Sequence, residues 1–157
     1  MAIPKQPLAL KQYMPFFWSA ISNRWTSSSS RLYLGQYGVG IGEWRVLATL
    51  GAQGSATSLD VVKLVGMDPG AVSRAMRDLE SKGYVVPVQG RFVGRNKPYE
   101  MTDAGVALFD RLRVTATARA DRLLDGLTRD EQQTLLTLLQ RVHANLAKLD
   151  QEVAEAT

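Results

Sequence analysis

The 157-residue sequence has no cysteine, which removes disulfides, thiolate metal ligands, thiol nucleophiles and cysteine-based redox sensing together. It has a single histidine, His143, so one chain cannot assemble a histidine-rich metal site, and no acidic cluster offers a carboxylate substitute. No run of about 18 apolar residues is present, which argues against a membrane-spanning helix. The opening stretch Met1 to Pro7 has neither the apolar run nor the cleavage pattern of a secretory signal, so a cytoplasmic chain with no membrane partner is expected. The glycine-punctuated stretch 35–42 lacks the Lys-Ser/Thr pair of a phosphate loop. Asp103 and Asp110 fall on neighbouring turns of one helix without an acid–base partner. No catalytic residue, no metal and no cofactor is expected, and an enzyme is the remotest of the function classes considered.

What is present is a core and an uneven charge. A hydrophobic content of 45% in a chain of this length suits one domain, or a core with an oligomerisation element attached. The net charge of +4 is not spread evenly. Residues 1–101 carry twelve Lys or Arg against six Asp or Glu, whereas residues 102–157 carry seven against nine. Between Lys82 and Lys97 there are four basic residues and no acid. Basic excess next to a mildly acidic C-terminal part suits a nucleic-acid face and a separate scaffold, with ordinary surface variation as the alternative.

Along the chain, residues 1–12 form a loose arm. Met14, Phe17, Trp18, Ile21 and Trp25 then recur at spacings of three and four, the period of one helical face. The Ser27–Ser30 run is poor in helix propensity but contains no breaker, so a continuous helix with a small-residue patch is expected rather than a linker. A second helix runs from Ile41 to Leu50 with Trp44 and Leu47 facing inward, ended by Gly51 and Gly54. Thr57 or Ser58 caps a third, short helix through Leu64, and Gly66 stops it. Asp68 is a good N-cap, Pro69 fits the first helical position, and Gly83 fits the left-handed position that stops a helix. Inside those limits Val72, Met76 and Leu79 make one apolar stripe, while Ser73, Arg74 and Arg77 project away from it. Two short helices joined by a tight glycine-containing turn make a helix-turn-helix pattern.

After Gly83 the period changes. Tyr84 to Gln89 reads as a strand, with Pro87 placing it at an edge, and Pro98 to Met101 as the returning strand. The turn-rich tip between them is cationic, which together makes a wing. Thr102 caps a long helix. Thr128-Arg-Asp-Glu131 then fits a capping box opening the last helix. In that helix Leu135, Leu139, Val142, Leu146, Leu149 and Val153 follow a 4-3-4-3-4 spacing. Such a seam packs within one chain or against a second subunit, and its position near the C-terminus suits the subunit reading at least as well. His143, one residue from the seam, reads as an interface or surface histidine.

The order of these elements resembles the MarR-type (multiple antibiotic resistance regulator) family of winged-helix transcription factors, from about Trp18 to Leu149. The resemblance is carried by Glu43-Trp44-Arg45-Val46-Leu47, Ala71-Val72-Ser73-Arg74, Leu79-Glu80-Ser81-Lys82-Gly83 and Met101-Thr102-Asp103-Ala104-Gly105, in that order and spacing. It implies a mainly α (α+β) fold, with a winged helix-turn-helix domain inserted into a helical dimerisation domain formed by the N- and C-terminal helices. The corresponding boundaries are 1–40 for the arm and first dimerisation helix, 41–103 for the winged helix, and 104–157 for the C-terminal dimerisation helices. It implies a homodimer, with Leu135, Leu139, Val142, Leu146 and Leu149 at the interface, bound to an inverted-repeat operator in double-stranded DNA. The expected activity is repression relieved by a small aromatic or phenolic carboxylate. The alternative is a winged-helix module that binds only other proteins.

The expected DNA contacts follow from that resemblance and from side-chain chemistry. Arg74 or Arg77 is the base-reading residue, because a guanidinium makes paired bonds to guanine. Pro69, Gly70 and Ser73 pack close to the backbone or thymine methyls, and Thr57, Lys63 and Lys82 are phosphate candidates. Arg95 is the minor-groove candidate. The family pattern there is Asp-x-Arg, and this chain has Val93-Gly94-Arg95, so the acid that would orient Arg95 is missing. Arg91, Asn96 and Lys97 can share or replace its role. For the effector, Trp18, Trp25, Tyr37 and Trp44 cluster in the relevant region, with Arg45, Ser22 and Ser28 as polar anchors. The plainer alternative is that these aromatics are simply core.

Overall fold

A computed structural model describes residues 8–90 and 97–156. Two compact units are distinguished, residues 1–114 and residues 115–157, and the helix α5 (Asp103–Leu123) runs from the first into the second.

The first unit opens with a short 3-10 turn, Leu10–Gln12, and the helix α1 (Met14–Tyr37). Pro15 sits in its first turn, where a missing N–H breaks no bond. The four serines stay helical, as their lack of a breaker predicts, and Ser29 is fully buried. The helix stops at Gly38, whose φ of 71° is open to glycine at little cost and whose N–H donates to the Leu34 carbonyl. The apolar stripe read from the sequence is not its buried face: Met14, Phe17, Trp18 and Ile21 are exposed, and Tyr33 supplies the buried anchor.

The helix α2 (Ile41–Gln53) begins where Glu43 Oε2 accepts a bond from the Gly40 N–H. It runs past Leu50 and through Gly51, ending at Gly54, so Gly51 does not terminate it. Gly51 is needed for space instead. A Cβ there would lie 2.6 Å from Phe109 Cζ, because the Phe109 ring packs onto the helix at that point. The strand β1 (Ser55–Ala56) follows, then the helix α3 (Ser58–Val65) and the helix α4 (Pro69–Ser81). Asp68 caps α4 by accepting the Ala71 N–H at 2.9 Å, as its position before Pro69 predicts. The buried residues Val72, Ala75, Met76 and Leu79 of α4 share a core with Val46, Leu47 and Leu50 of α2 and Val61 of α3.

The wing stems are β2 (Val85–Pro87) and β3 (Tyr99–Met101), both shorter than the sequence suggests. They belong to a three-stranded antiparallel sheet ordered β1-β3-β2. Pro87 therefore lies on an edge strand, where its missing N–H is tolerated. The third strand is β1, pairing Ser55 with Glu100 and Ala56 with Tyr99. Behind the sheet Thr102 donates its N–H to the Tyr84 carbonyl and its hydroxyl to the Gly83 carbonyl, and accepts the Gly105 N–H, which fixes the start of α5.

In the second unit α5 ends in a turn at Gly126, and the helix α6 (Arg129–Glu155) follows. Thr128 and Glu131 form the capping box in full, with Glu131 Oε2 accepting the Thr128 N–H at 2.7 Å. No residue of α6 is buried, and Leu135, Leu139, Val142, Leu146 and Leu149 are 37–52% exposed. No helix among the described residues is long and apolar enough to cross a membrane.

A second capping box opens α3, the first helix of the helix-turn-helix. The Asp60 carboxylate accepts the Thr57 N–H at 2.8 Å and the Thr57 hydroxyl at 2.7 Å. Those two bonds hold Asp60 below its ordinary 3.8 against the opposing effect of burial, with the Lys63 charge a lesser help. A depressed carboxylate contributes stability that is complete above 3.8 and is lost as pH falls through the lower folded value. Asp60→Asn should therefore melt below the wild type at neutral pH, and the gap should close on acidification below that value. A gap of constant size down to acid pH would show that the charge of Asp60 does not matter.

Candidate nucleic-acid interface

The apolar stripe of α4 is spent on the core, which leaves the opposite face outward. On that face Arg74 and Arg77 are exposed, Ser73 is half-buried, and Pro69 and Gly70 are exposed at the first turn. Ser73 and Arg77 stand four residues apart, one above the other on a helix. The Arg77 Nη1 donates to Ser73 Oγ at 2.8 Å, so this guanidinium is held back along the helix rather than left to wander. Arg74 points toward the N-terminal turn. A Cβ on Gly70 would lie 3.4 Å from Arg74 Nη1 and 3.0 Å from Asp68 Oδ1, so the bare glycine leaves room for both. Two guanidiniums, one hydroxyl and a glycine–proline turn thus form one continuous front.

The flanking candidates divide. Lys63 is exposed on the last turn of α3. Thr57 is half-buried, and its hydroxyl already donates to Asp60 and accepts the Asp60 N–H. Lys82 is exposed and bonded within the chain: its Nζ donates to Glu43 Oε1 at 2.6 Å and to the Gly38 carbonyl at 2.9 Å. Lys97 at the foot of the wing lies with Nζ 5.5 Å from the Tyr99 ring centroid, a cation–π distance. Tyr99 in turn donates its hydroxyl to Glu80 Oε2 at 3.2 Å, which joins the wing stem to α4. Partial burial, then the Glu80 charge and hydrogen bond, raise the Tyr99 phenol above its ordinary value. Arg91, Arg95 and Asn96 lie outside the described residues.

Of the effector candidates, the structure groups some and leaves others apart. Trp44 is half-buried, stacked on Phe109 at 5.8 Å and edge-on to Tyr33 at 6.1 Å. Arg45 donates to Thr26 Oγ1 at 3.0 Å, so it binds a hydroxyl of α1. Tyr37 is half-buried with the Arg111 guanidinium 5.4 Å from its ring centroid. Trp25 and Ser28 are half-buried on α1, while Trp18 and Ser22 are exposed on its earlier turns. Sequence reading missed Arg111 and Phe109, whose helical spacing on α5 gives no sign that they face α1 and α2. It also missed the buried Tyr33 hydroxyl, which has no hydrogen-bond partner among the described residues. Among those residues no group of three or more His, Cys, Asp or Glu could hold a metal ion.

Comparison with known proteins matches this geometry to one family. The family model described as MarR family matches residues 37–95, which include α2, α3, α4 and β2. The HTH-type transcriptional repressor IacR of Pseudomonas putida is 24% identical over 140 residues, 88% of this chain and 83% of that protein. A MarR-family transcriptional regulator from Silicibacter pomeroyi is 28% identical, with a TM-score of 0.76 over 89% of this chain and 96% of its own. A MarR/EmrR-family regulator from Acinetobacter sp. ADP1 shares the fold at a TM-score of 0.83 and 23% identity, covering 90% of this chain and 99% of its own. Two further structures share the fold. One is a mutant MarR from E. coli in complex with operator DNA, with a TM-score of 0.70 and 22% identity over 87% of this chain and 99% of that one. The other is Bordetella bronchiseptica BpsR, whose DNA binding is regulated by 6-hydroxynicotinic acid, at 0.67 and 18% over 81% and 98%. The capped helix-turn-helix and two strands of the three-stranded wing sheet thus fall within the stretch, residues 37–95, that matches the MarR family model, inside a fold shared over most of the chain with MarR-family winged-helix transcriptional regulators.

Proposed function

We propose that the chain is a homodimeric, sequence-specific DNA-binding repressor that leaves its operator when a small aromatic or phenolic carboxylate binds. The observation that carries the reading is the front of α4, where Arg74 and the Ser73-tethered Arg77 stand clear of a helix whose back is fully packed. A helix of that build fits the major groove, with guanidiniums reaching base edges and Lys63 reaching phosphate. The dimer is supported by α6, where five heptad positions remain exposed along one seam. Two copies of α4 then call for an inverted repeat with half-sites about one helical turn apart.

The effector assignment rests on Trp25, Tyr37, Trp44 and Arg45, with Trp18, Ser22 and Ser28 as further contacts. Arg111 adds a second cation beside Tyr37. Repression takes support from the repressor IacR, and control by an aromatic acid from the fold likeness to BpsR, whose DNA binding is regulated by 6-hydroxynicotinic acid. Selection of bound duplexes from genomic fragments, with and without aromatic acids, tests the whole reading. Enrichment of a two-fold-symmetric site that the acids abolish is expected. Recovery of unrelated fragments with no shared site would refute sequence-specific binding.

A further inference from the structure

The Lys82 ammonium sits where three helix ends meet. Lys82 is the C-cap of α4. Its Nζ donates to the carbonyl of Gly38, the residue that ends α1, and to Glu43 in the first turn of α2. Glu43 is 9% exposed, and its second oxygen accepts the Gly40 N–H at 2.6 Å, so both its oxygens are engaged. An exposed ion pair is worth little, but pulling the lysine away from a nearly buried carboxylate leaves that charge uncompensated. The Lys82 side chain is 38% exposed, so a phosphate could reach its ammonium only in competition with Glu43 and the Gly38 carbonyl.

We infer that Lys82 and Glu43 are positioning residues, a clasp that fixes the pitch of α4 against the α1–α2 turn, so that Lys82 acts on operator affinity through Glu43 and not through a phosphate. The inference rests on the DNA-binding reading above and extends it. Because α1 carries Trp25, Ser28 and Tyr37, the clasp also joins the proposed effector helix to the reading helix through one bonded node. Coupling then has a physical element to act on.

The test uses the full chain with Lys82→Gln, Glu43→Gln and the double variant. The glutamine at 43 keeps an oxygen for the Gly40 N–H while removing the charge. Fluorescence anisotropy against the recovered operator and a scrambled duplex, over a range of salt, gives affinity, specificity and salt slope together. Each single variant is expected to bind operator about 3- to 30-fold more weakly, with scrambled-duplex affinity and salt slope unchanged. The double variant should lose no more than the weaker single, since both remove one interaction. A merely supportive pair would lower both affinities together with the melting temperature, and that result would overturn positioning. So would a salt slope reduced by about 0.9 in Lys82→Gln with Glu43→Gln unaffected, the signature of a lost phosphate contact. A wild type without salt-dependent affinity for any duplex would remove the DNA-binding reading and this inference with it.

Discussion

Gly105→Ala should destabilise the protein by roughly 3 kcal/mol or more, at the upper end of what overpacking costs. Gly105 is buried in the first turn of α5, and an added methyl would be built onto the Tyr84 carbonyl oxygen. That carbonyl cannot step aside freely, because it accepts the Thr102 N–H at 3.1 Å, while Thr102 also bonds the Gly83 carbonyl at 2.7 Å. Relief therefore means breaking the joint that links α4, the wing and α5. Alanine is the better helix former by about 1 kcal/mol, but that gain is smaller than the clash. At this chain length the melting temperature should fall by about 10 °C. Gly35 is the internal control, since a Cβ there meets nothing within 4 Å. Gly35→Ala should melt at or above the wild type, and a Gly105→Ala melt that matched it would refute the packing account.

The second large effect is expected at the DNA face. Arg74→Ala with Arg77→Ala should cost about 1–3 kcal/mol of operator discrimination for each arginine that makes a paired base contact. The fold should be untouched, because both side chains are exposed. Ser73→Ala should act in the same direction and more weakly, since it releases Arg77 from its 2.8 Å bond without removing the charge. Anisotropy titrations on the recovered operator measure all three. Wild-type affinity in the double variant would remove α4 as the reading element.

Much of the fold was legible because its signals are local. Asp68 before Pro69, Thr128 three residues ahead of Glu131, and Gly83 after Lys82 each announce a helix end through chemistry within one turn. The exposure of Arg74 and Arg77 follows from a 3.6-residue period alone. What failed was non-local. Gly51 reads as punctuation, yet it exists for the ring of Phe109 on another helix. A two-residue strand has no alternation to detect, so β1 appears only through its pairing with Tyr99 and Glu100. The α1 stripe has the right period for a core face but is exposed in the single chain. Lys82 is the surface cation the sequence suggests, but its bond to Glu43, 39 residues upstream, has no local signal. The wing tip at 91–96, including Arg95 and Val93, lies outside the described residues.

The central claim is that the front of α4 reads a DNA sequence. Its most direct measurement is the ratio of wild-type affinities for the recovered operator and a scrambled duplex of equal length, at one physiological salt concentration. A ratio on the order of 10³ or more, collapsing when Arg74 and Arg77 are both alanine, is the predicted result. A ratio near one, or a ratio that survives the double substitution, would contradict it.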